Sequence, residues 1–238
     1  MSHRPTNPIF CAVDTADLDH AGRIARAVSG AVGGLKLGKE FMTANGPAGA
    51  AAVVGDGVPL FLDLKFHDIP HTVAGAVRAA AEVLRPFMLT VHSAGGPAMV
   101  RAAVAASAGF GVDRPLILGV TLLTSLDDDD LGRIGIAGSS DDYVRRMATL
   151  TRDCGGDGVI CSPKEIHDLR QHFGGDFKLV VPGIRLAGAG SDDQKRVMTP
   201  ADALAAGADY LVIGRAITAA AAPAEVAAAI AADLDAVA

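Results

Sequence analysis

Short apolar runs carrying β-branched residues recur along the chain between longer, Ala-rich segments. The runs cover residues 9–13, 34–37, 59–64, 87–92, 116–121, 158–161, 177–181 and 210–213. They are continuous rather than alternating, as strands buried on both faces of a parallel sheet are. The segments between them read as helices over 17–28, 40–54, 72–84, 97–106, 141–154, 163–173, 200–206 and 216–234. Ser162-Pro163 and Thr199-Pro200 supply the N-cap and first-turn chemistry of helix starts. Eight strand-then-helix units in succession indicate an α/β protein. A doubly wound open sheet rarely holds eight such units in 238 residues, so the pattern predicts a (β/α)8 TIM barrel spanning 1–238 as one domain.

Two connections are longer than barrel loops usually are. Residues 122–140 follow the fifth strand and contain the acidic run 127–130, which reads as a solvated helix start. Residues 183–199 follow the seventh strand, are rich in Gly, Ala and charge, and read as a lid. Both leave the C-terminal ends of strands, the face on which barrel enzymes place their chemistry.

Composition narrows the classes. Half of the residues are hydrophobic, enough for a sizeable core, and with no Trp and 4% aromatics that core is expected to be aliphatic. The net charge of −6, without a basic block, argues against a nucleic-acid surface while leaving room for small anions held by a few cations. Cys11, Cys154 and Cys161 are odd in number and lack C-x-x-C spacing, as reduced thiols of a cytoplasmic protein would. The N-terminal residues run into the first strand without an apolar leader, and no stretch reaches ~18 uninterrupted apolar residues, so neither secretion nor a membrane is expected.

Charges stand where buried strands end. Asp14 closes the first, Lys36 lies in the second, Asp63 and Lys65 close the third, and Arg215 follows the eighth. Buried charge is costly unless paired or used, and these ends all aim at one mouth. Asp63 and Lys65 are two apart, so on a strand both point into the barrel, where Lys36 from the next strand can join them. Carboxylates favour the charged form of neighbouring ammonium groups, which suits a lysine that delivers a proton to a carbanion and not a Schiff-base nucleophile. At the far side, strand seven ends Val181-Pro182-Gly183-Ile184-Arg185 and strand eight ends Ile213-Gly214-Arg215. Loops after these two strands frequently bind phosphate through backbone N–H groups, and Arg215 adds a fork of donors. His67, His71 and His92 match no metal-ligand spacing and read as structural. No G-x-G-x-x-G follows the first strand, so neither metal nor other cofactor is expected.

The segment Asp63-Leu64-Lys65-Phe66-His67-Asp68-Ile69-Pro70 closely resembles the signature of bacterial orotidine 5′-phosphate decarboxylases. Matches in the same order run from Ala12-Val13-Asp14 through Leu35-Lys36-Leu37-Gly38, Val91-His92, Leu123-Thr124-Ser125 and Val181–Arg185 to Val212-Ile213-Gly214-Arg215. One departure is His71, where the family commonly has Asn. The resemblance implies a cofactor-free decarboxylase of pyrimidine biosynthesis that converts orotidine 5′-phosphate (OMP) to UMP, with Lys65 as proton donor to C6. It implies a charged array of Lys36, Asp63, Lys65 and Asp68, with Asp68, Ile69 and Thr72 contributed across a homodimer whose active sites are shared. Asp14 and Lys36 would contact ribose, Thr124 the pyrimidine, and Gln194, Gly214 and Arg215 the phosphate. Pro182 would also line the substrate, and Arg185 would lie near the lid. A metal-dependent sugar-phosphate decarboxylase or aldolase of the same barrel group shares the D-x-K-x-x-D pattern and is the main alternative. A non-catalytic phosphate-binding barrel would need neither Asp63 nor Lys65.

Overall fold

A computed structural model describes residues 5, 7–55, 57–184 and 198–235. Eight parallel strands close into a barrel in chain order: β1 (Ile9–Ala12), β2 (Gly34–Gly38), β3 (Leu60–Phe66), β4 (Met88–His92), β5 (Leu116–Val120), β6 (Gly158–Ile160), β7 (Lys178–Pro182) and β8 (Tyr210–Ile213). The closing pair sets Phe10 opposite Val212, and every adjacent pair is parallel. Around it lie α1 (Leu18–Val28), α2 (Lys39–Val54), α3 (Pro70–Leu84), α4 (Gly96–Ala108), α5 (Asp128–Arg133), α6 (Ser140–Asp153), α7 (Ile166–Phe173), α8 (Pro200–Ala206), α9 (Arg215–Thr218) and α10 (Pro223–Asp235).

Side chains alternate across each strand, which divides the core in two. Ile9, Cys11 and Val13, with Leu35, Leu37, Leu89, Ile117 and Leu179, face outward and pack under the helices. Phe10, Ala12, Phe61, Met88, Leu118, Val180 and Val212 face inward and fill the barrel. The outer layer is mainly aliphatic, with Phe41, Phe173 and Phe177 among its buried side chains, whereas the barrel floor is built around rings. Phe10 meets Phe61 edge-on at 6.1 Å and Tyr210 at 5.6 Å, and stacks on Phe87 at 6.1 Å. A barrel floor is wide enough to take rings, so a few aromatics concentrated there plug it.

Two expected helices differ in detail, and the acidic run does not. The 40–54 helix is broken at Gly46, whose φ of 63° and ψ of −169° precede Pro47, because proline has no N–H and disfavours helix in the residue before it. The 216–234 helix is two, α9 and α10, with Pro223 opening the second. The acidic run 127–130 starts α5, where Asp127 and Asp130 form a reciprocal capping box. That is the solvated helix start expected. Most of the 183–199 connection lies outside the described residues, and with it the lid reading, Arg185 and Gln194.

Candidate active site

The charged side chains sit directly above the apolar floor. Lys36 points inward from β2 and is only 8% exposed. Its Nζ donates to Asp14 Oδ1 at 2.8 Å and lies 3.9 Å from Asp63 Oδ2. A lysine this buried requires such partners. Lys65 Nζ donates to both oxygens of Asp63 at 2.7 Å. Asp14, Lys36, Asp63 and Lys65 thus form one chain of alternating charge. Gly38 leaves room for it: a Cβ there would stand 3.3 Å from Asp14 Oδ1 and 3.4 Å from Lys36 Nζ.

Asp63 and Lys65 converge, though not by regular alternation along a strand. The β3–β4 pairing runs Phe61 to Met88 and Leu62 to Leu89, then jumps to Phe66 and Val91. Within the bulge Lys65 adopts φ of 52°, one of two non-glycine residues with positive φ among the described residues. A left-handed lysine costs roughly 1–3 kcal/mol and persists only where its surroundings enforce it. Here they do. Lys65 N donates to Thr90 Oγ1 at 2.9 Å, and Thr90 Oγ1 donates to Asp63 Oδ1 at 2.9 Å. Thr90 went unnoticed in the sequence because a threonine inside an apolar run reads as an ordinary strand former. Its inward register with Met88 and His92 was the available signal.

His92 ends β4 with its ring 5.3 Å from that of His67. Burial pushes its imidazole down to about 4, helped by the like charges of His67, Lys39 and Lys65 and opposed by Asp63. His92 is therefore a neutral neighbour of the array. The thiol of Cys11 is pushed up to about 12, first by burial and then by Asp14, and is inert.

Asp68, Ile69 and Thr72 are not brought to the array within this chain. They lie on the exposed stretch 67–72 that leads from β3 into the first turn of α3, where Asp68 Oδ1 accepts from Ile69 N at 2.6 Å. Ile69 is 66% exposed, and an open groove runs beside it along His67, Asp68, Pro70, Ala94 and Gly95. Thr124 is exposed just past β5. Across the mouth, Pro182 ends β7 and pairs with Val212, and Gly183 turns with φ of 79°, a conformation that favours glycine. Gly214 caps α9, its carbonyl accepting from Ile217 N at 2.8 Å, and Arg215 is the exposed first residue of that helix. The first N–H groups of a helix lack internal partners, so a helix starting at the mouth offers donors to an anion. Among the described residues no three His, Cys, Asp or Glu side chains converge as a metal ion would need.

Over residues 7–230 the chain matches the family described as orotidine 5′-phosphate decarboxylase / HUMPS. A relative from Paramagnetospirillum magneticum called orotidine 5′-phosphate decarboxylase is 50% identical over 232 residues, covering 96% of this chain and 98% of its own. Another of that name from Chromobacterium violaceum is 52% identical over 220 residues, covering 92% and 88%. The crystal structure of orotidine 5′-phosphate decarboxylase from Lactobacillus acidophilus superposes with a TM-score of 0.85 at 32% identity, covering 96% of this chain and 99% of that one. With half of its residues shared along nearly its whole length, and the barrel shared too, the chain belongs to the orotidine 5′-phosphate decarboxylase / HUMPS family.

Proposed function

We propose that the chain, working as one (β/α)8 unit, decarboxylates OMP to UMP and CO₂ without a cofactor, as a step of pyrimidine biosynthesis in the cytoplasm. The observation that carries this reading is the Lys65 ammonium held by both oxygens of Asp63, inside an array closed by Lys36 and Asp14. Relatives half identical to the chain bear the name of that activity. The net charge of −6 gives no reason to invoke nucleic acid, and no helix among the described residues is long and apolar enough to cross a membrane.

In the reaction the bond between C6 and the carboxylate breaks, CO₂ leaves, and the electron pair stays on C6. Lys65 Nζ transfers a proton to that carbon, giving UMP and a neutral lysine that recovers its proton from solvent. Ammonium groups fixed before the reaction stabilise the developing carbanion without having to reorient, and the apolar floor strengthens their field. On the resemblance, Asp14 and Lys36 take the ribose and Thr124 the pyrimidine. Gly214 and Arg215 receive the phosphate, with Pro182 lining the path between; Arg185 and Gln194 join them on the resemblance alone. Phosphate binding, remote from the breaking bond, supplies energy for assembling the site. The exposed 67–72 segment supports a homodimer in which Asp68, Ile69 and Thr72 complete the partner's array, because a lone chain leaves Ile69 open to water beside a carboxylate that its own array does not use.

The test is ultraviolet absorbance of OMP mixed with pure, folded protein, with and without EDTA. Absorbance should fall at the same rate in both. No change in either sinks the reading, and a rate abolished by EDTA transfers the site to metal-dependent chemistry.

A further inference from the structure

We propose that Thr90 is a positioning residue for proton delivery: its one hydroxyl sets both the backbone of Lys65 and the carboxylate of Asp63. The inference rests on the decarboxylase reading above and adds to it a residue outside the charged array. Thr90 is fully buried on the inward face of β4. Opposite it, the β3 ladder skips from Leu62 to Phe66 while β4 advances only from Leu89 to Val91. Asp63, Leu64 and Lys65 therefore stand against Thr90 alone. A bulge of this kind takes backbone N–H groups out of the ladder, and a buried one must find another acceptor.

For Lys65 that acceptor is Thr90 Oγ1, at 2.9 Å. The hydroxyl has a single proton. With a lone pair taken by Lys65 N–H, the proton goes to Asp63 Oδ1, also at 2.9 Å. Asp63 in turn receives Lys65 Nζ at 2.7 Å. The loop closes from the lysine backbone, through the threonine, to the carboxylate and back to the lysine tip. It fixes both ends of a long side chain that starts from a left-handed backbone. Valine has the shape and strand preference of threonine but can neither accept nor donate, whereas serine can do both.

Thr90→Val should lower kcat by about 100-fold, the penalty of a misplaced reacting group, while KM for OMP moves less than about threefold. Thr90→Ser should stay within about fivefold of the parent enzyme in kcat. In hydrogen exchange the Lys65 amide should be protected in the parent and in Thr90→Ser and should exchange at least about 100-fold faster in Thr90→Val. A Thr90→Val enzyme with parental kcat, a Thr90→Ser enzyme as slow as the valine variant, or an unchanged Lys65 amide overturns the inference. If the valine variant does not fold, the serine variant decides: full activity supports the hydroxyl's role and a hundredfold loss removes it. Lys65→Ala, run alongside, separates the two claims. Turnover of OMP by that variant takes Lys65 out of proton delivery and this inference with it, whereas no turnover by the parent enzyme removes the decarboxylase reading. An inactive Lys65→Ala beside a fully active Thr90→Val removes the inference alone.

Discussion

The two rims of the barrel carry ion pairs of similar length with opposite employment. At the N-terminal rim, Asp157 precedes β6 and accepts from Arg114 Nη1 at 2.8 Å, from Arg114 Nη2 at 2.6 Å and from the Ile117 backbone at 2.8 Å. Two strands on, Asp209 precedes β8 and accepts from Lys178 Nζ at 3.0 Å, from Leu179 N at 2.8 Å and from Arg170. Arg170 also donates to the carbonyls of Gly174, Phe177 and Gly207. Each carboxylate there ties a strand start to its neighbour through the main chain. At the mouth, among the described residues, Asp63 accepts only from side chains, namely Lys65 and Thr90, with Lys36 close by. Backbone partners make a charge part of the scaffold, and side-chain partners leave it free to exchange a partner for a substrate. The contrast separates structural from chemical charge better than burial does, since Asp63 and Asp157 are both largely covered.

Removing one charge from each rim should pull activity and stability apart. Lys65→Ala is expected to cost up to about 10⁴-fold in kcat, because it removes the ammonium that Asp63 holds with both oxygens. UMP binding by calorimetry should survive, since the phosphate end is untouched. Decarboxylation near the parental rate would take Lys65 out of the mechanism and blur the distinction between the rims.

Asp209→Ala should do the reverse. It takes the carboxylate from Arg170 and Lys178 and leaves the Leu179 N–H without its acceptor. Breaking a fully buried pair costs about 3–5 kcal/mol; these side chains are 18–34% exposed, so about 2–3 kcal/mol is expected. In a chain of this size that lowers Tm by roughly 5–10 °C. The kcat per folded molecule should stay within about twofold, as the rim is remote from the mouth. Parental stability with impaired turnover would show that Asp209 acts on the chemistry after all.

The eight strands were readable because burial on both sides leaves parallel strands with continuous apolar runs. The charges of the mouth stood out because Asp14, Lys36, Asp63 and Lys65 interrupt or close those runs. What escaped was conformation set by tertiary pairing. Nothing local in Asp63-Leu64-Lys65 announces a bulge, for there is no glycine or proline in it, and the left-handed lysine depends on a hydroxyl from β4. The break at Gly46-Pro47 is written in plain turn chemistry, but the Ala-rich residues around it carry the helical pattern across. The aromatic floor escaped because a percentage states how many rings there are and not that Phe10, Phe61, Phe87 and Tyr210 meet. Asp68 is the opposite case: within one chain its neighbourhood is exposed, and its assignment comes from the resemblance.

The smallest expected effect tests whether the mouth tolerates positive charge only where a carboxylate meets it. His92 joins none of the ion pairs found among the described residues, and burial, with His67, Lys39 and Lys65 nearby, holds its imidazole at about 4 against an ordinary 6.5. Between those values the unfolded chain binds the proton and the folded one refuses it. Stability from this group is therefore complete above pH 6.5 and drains away as pH falls towards 4. The full step is worth at most about 3 kcal/mol. Acid also protonates carboxylates on both rims, so the readout is a difference: urea unfolding of the parent and of His92→Gln, compared at neutral pH and near the lower value. The parent should lose more on acidification than the variant does. Parallel losses would mean that the mouth accepts an unpaired cation readily. Lys36 and Lys65 could then be charged without Asp14 and Asp63, and the alternating array would be one arrangement among several rather than the condition for placing two ammonium groups beside a substrate.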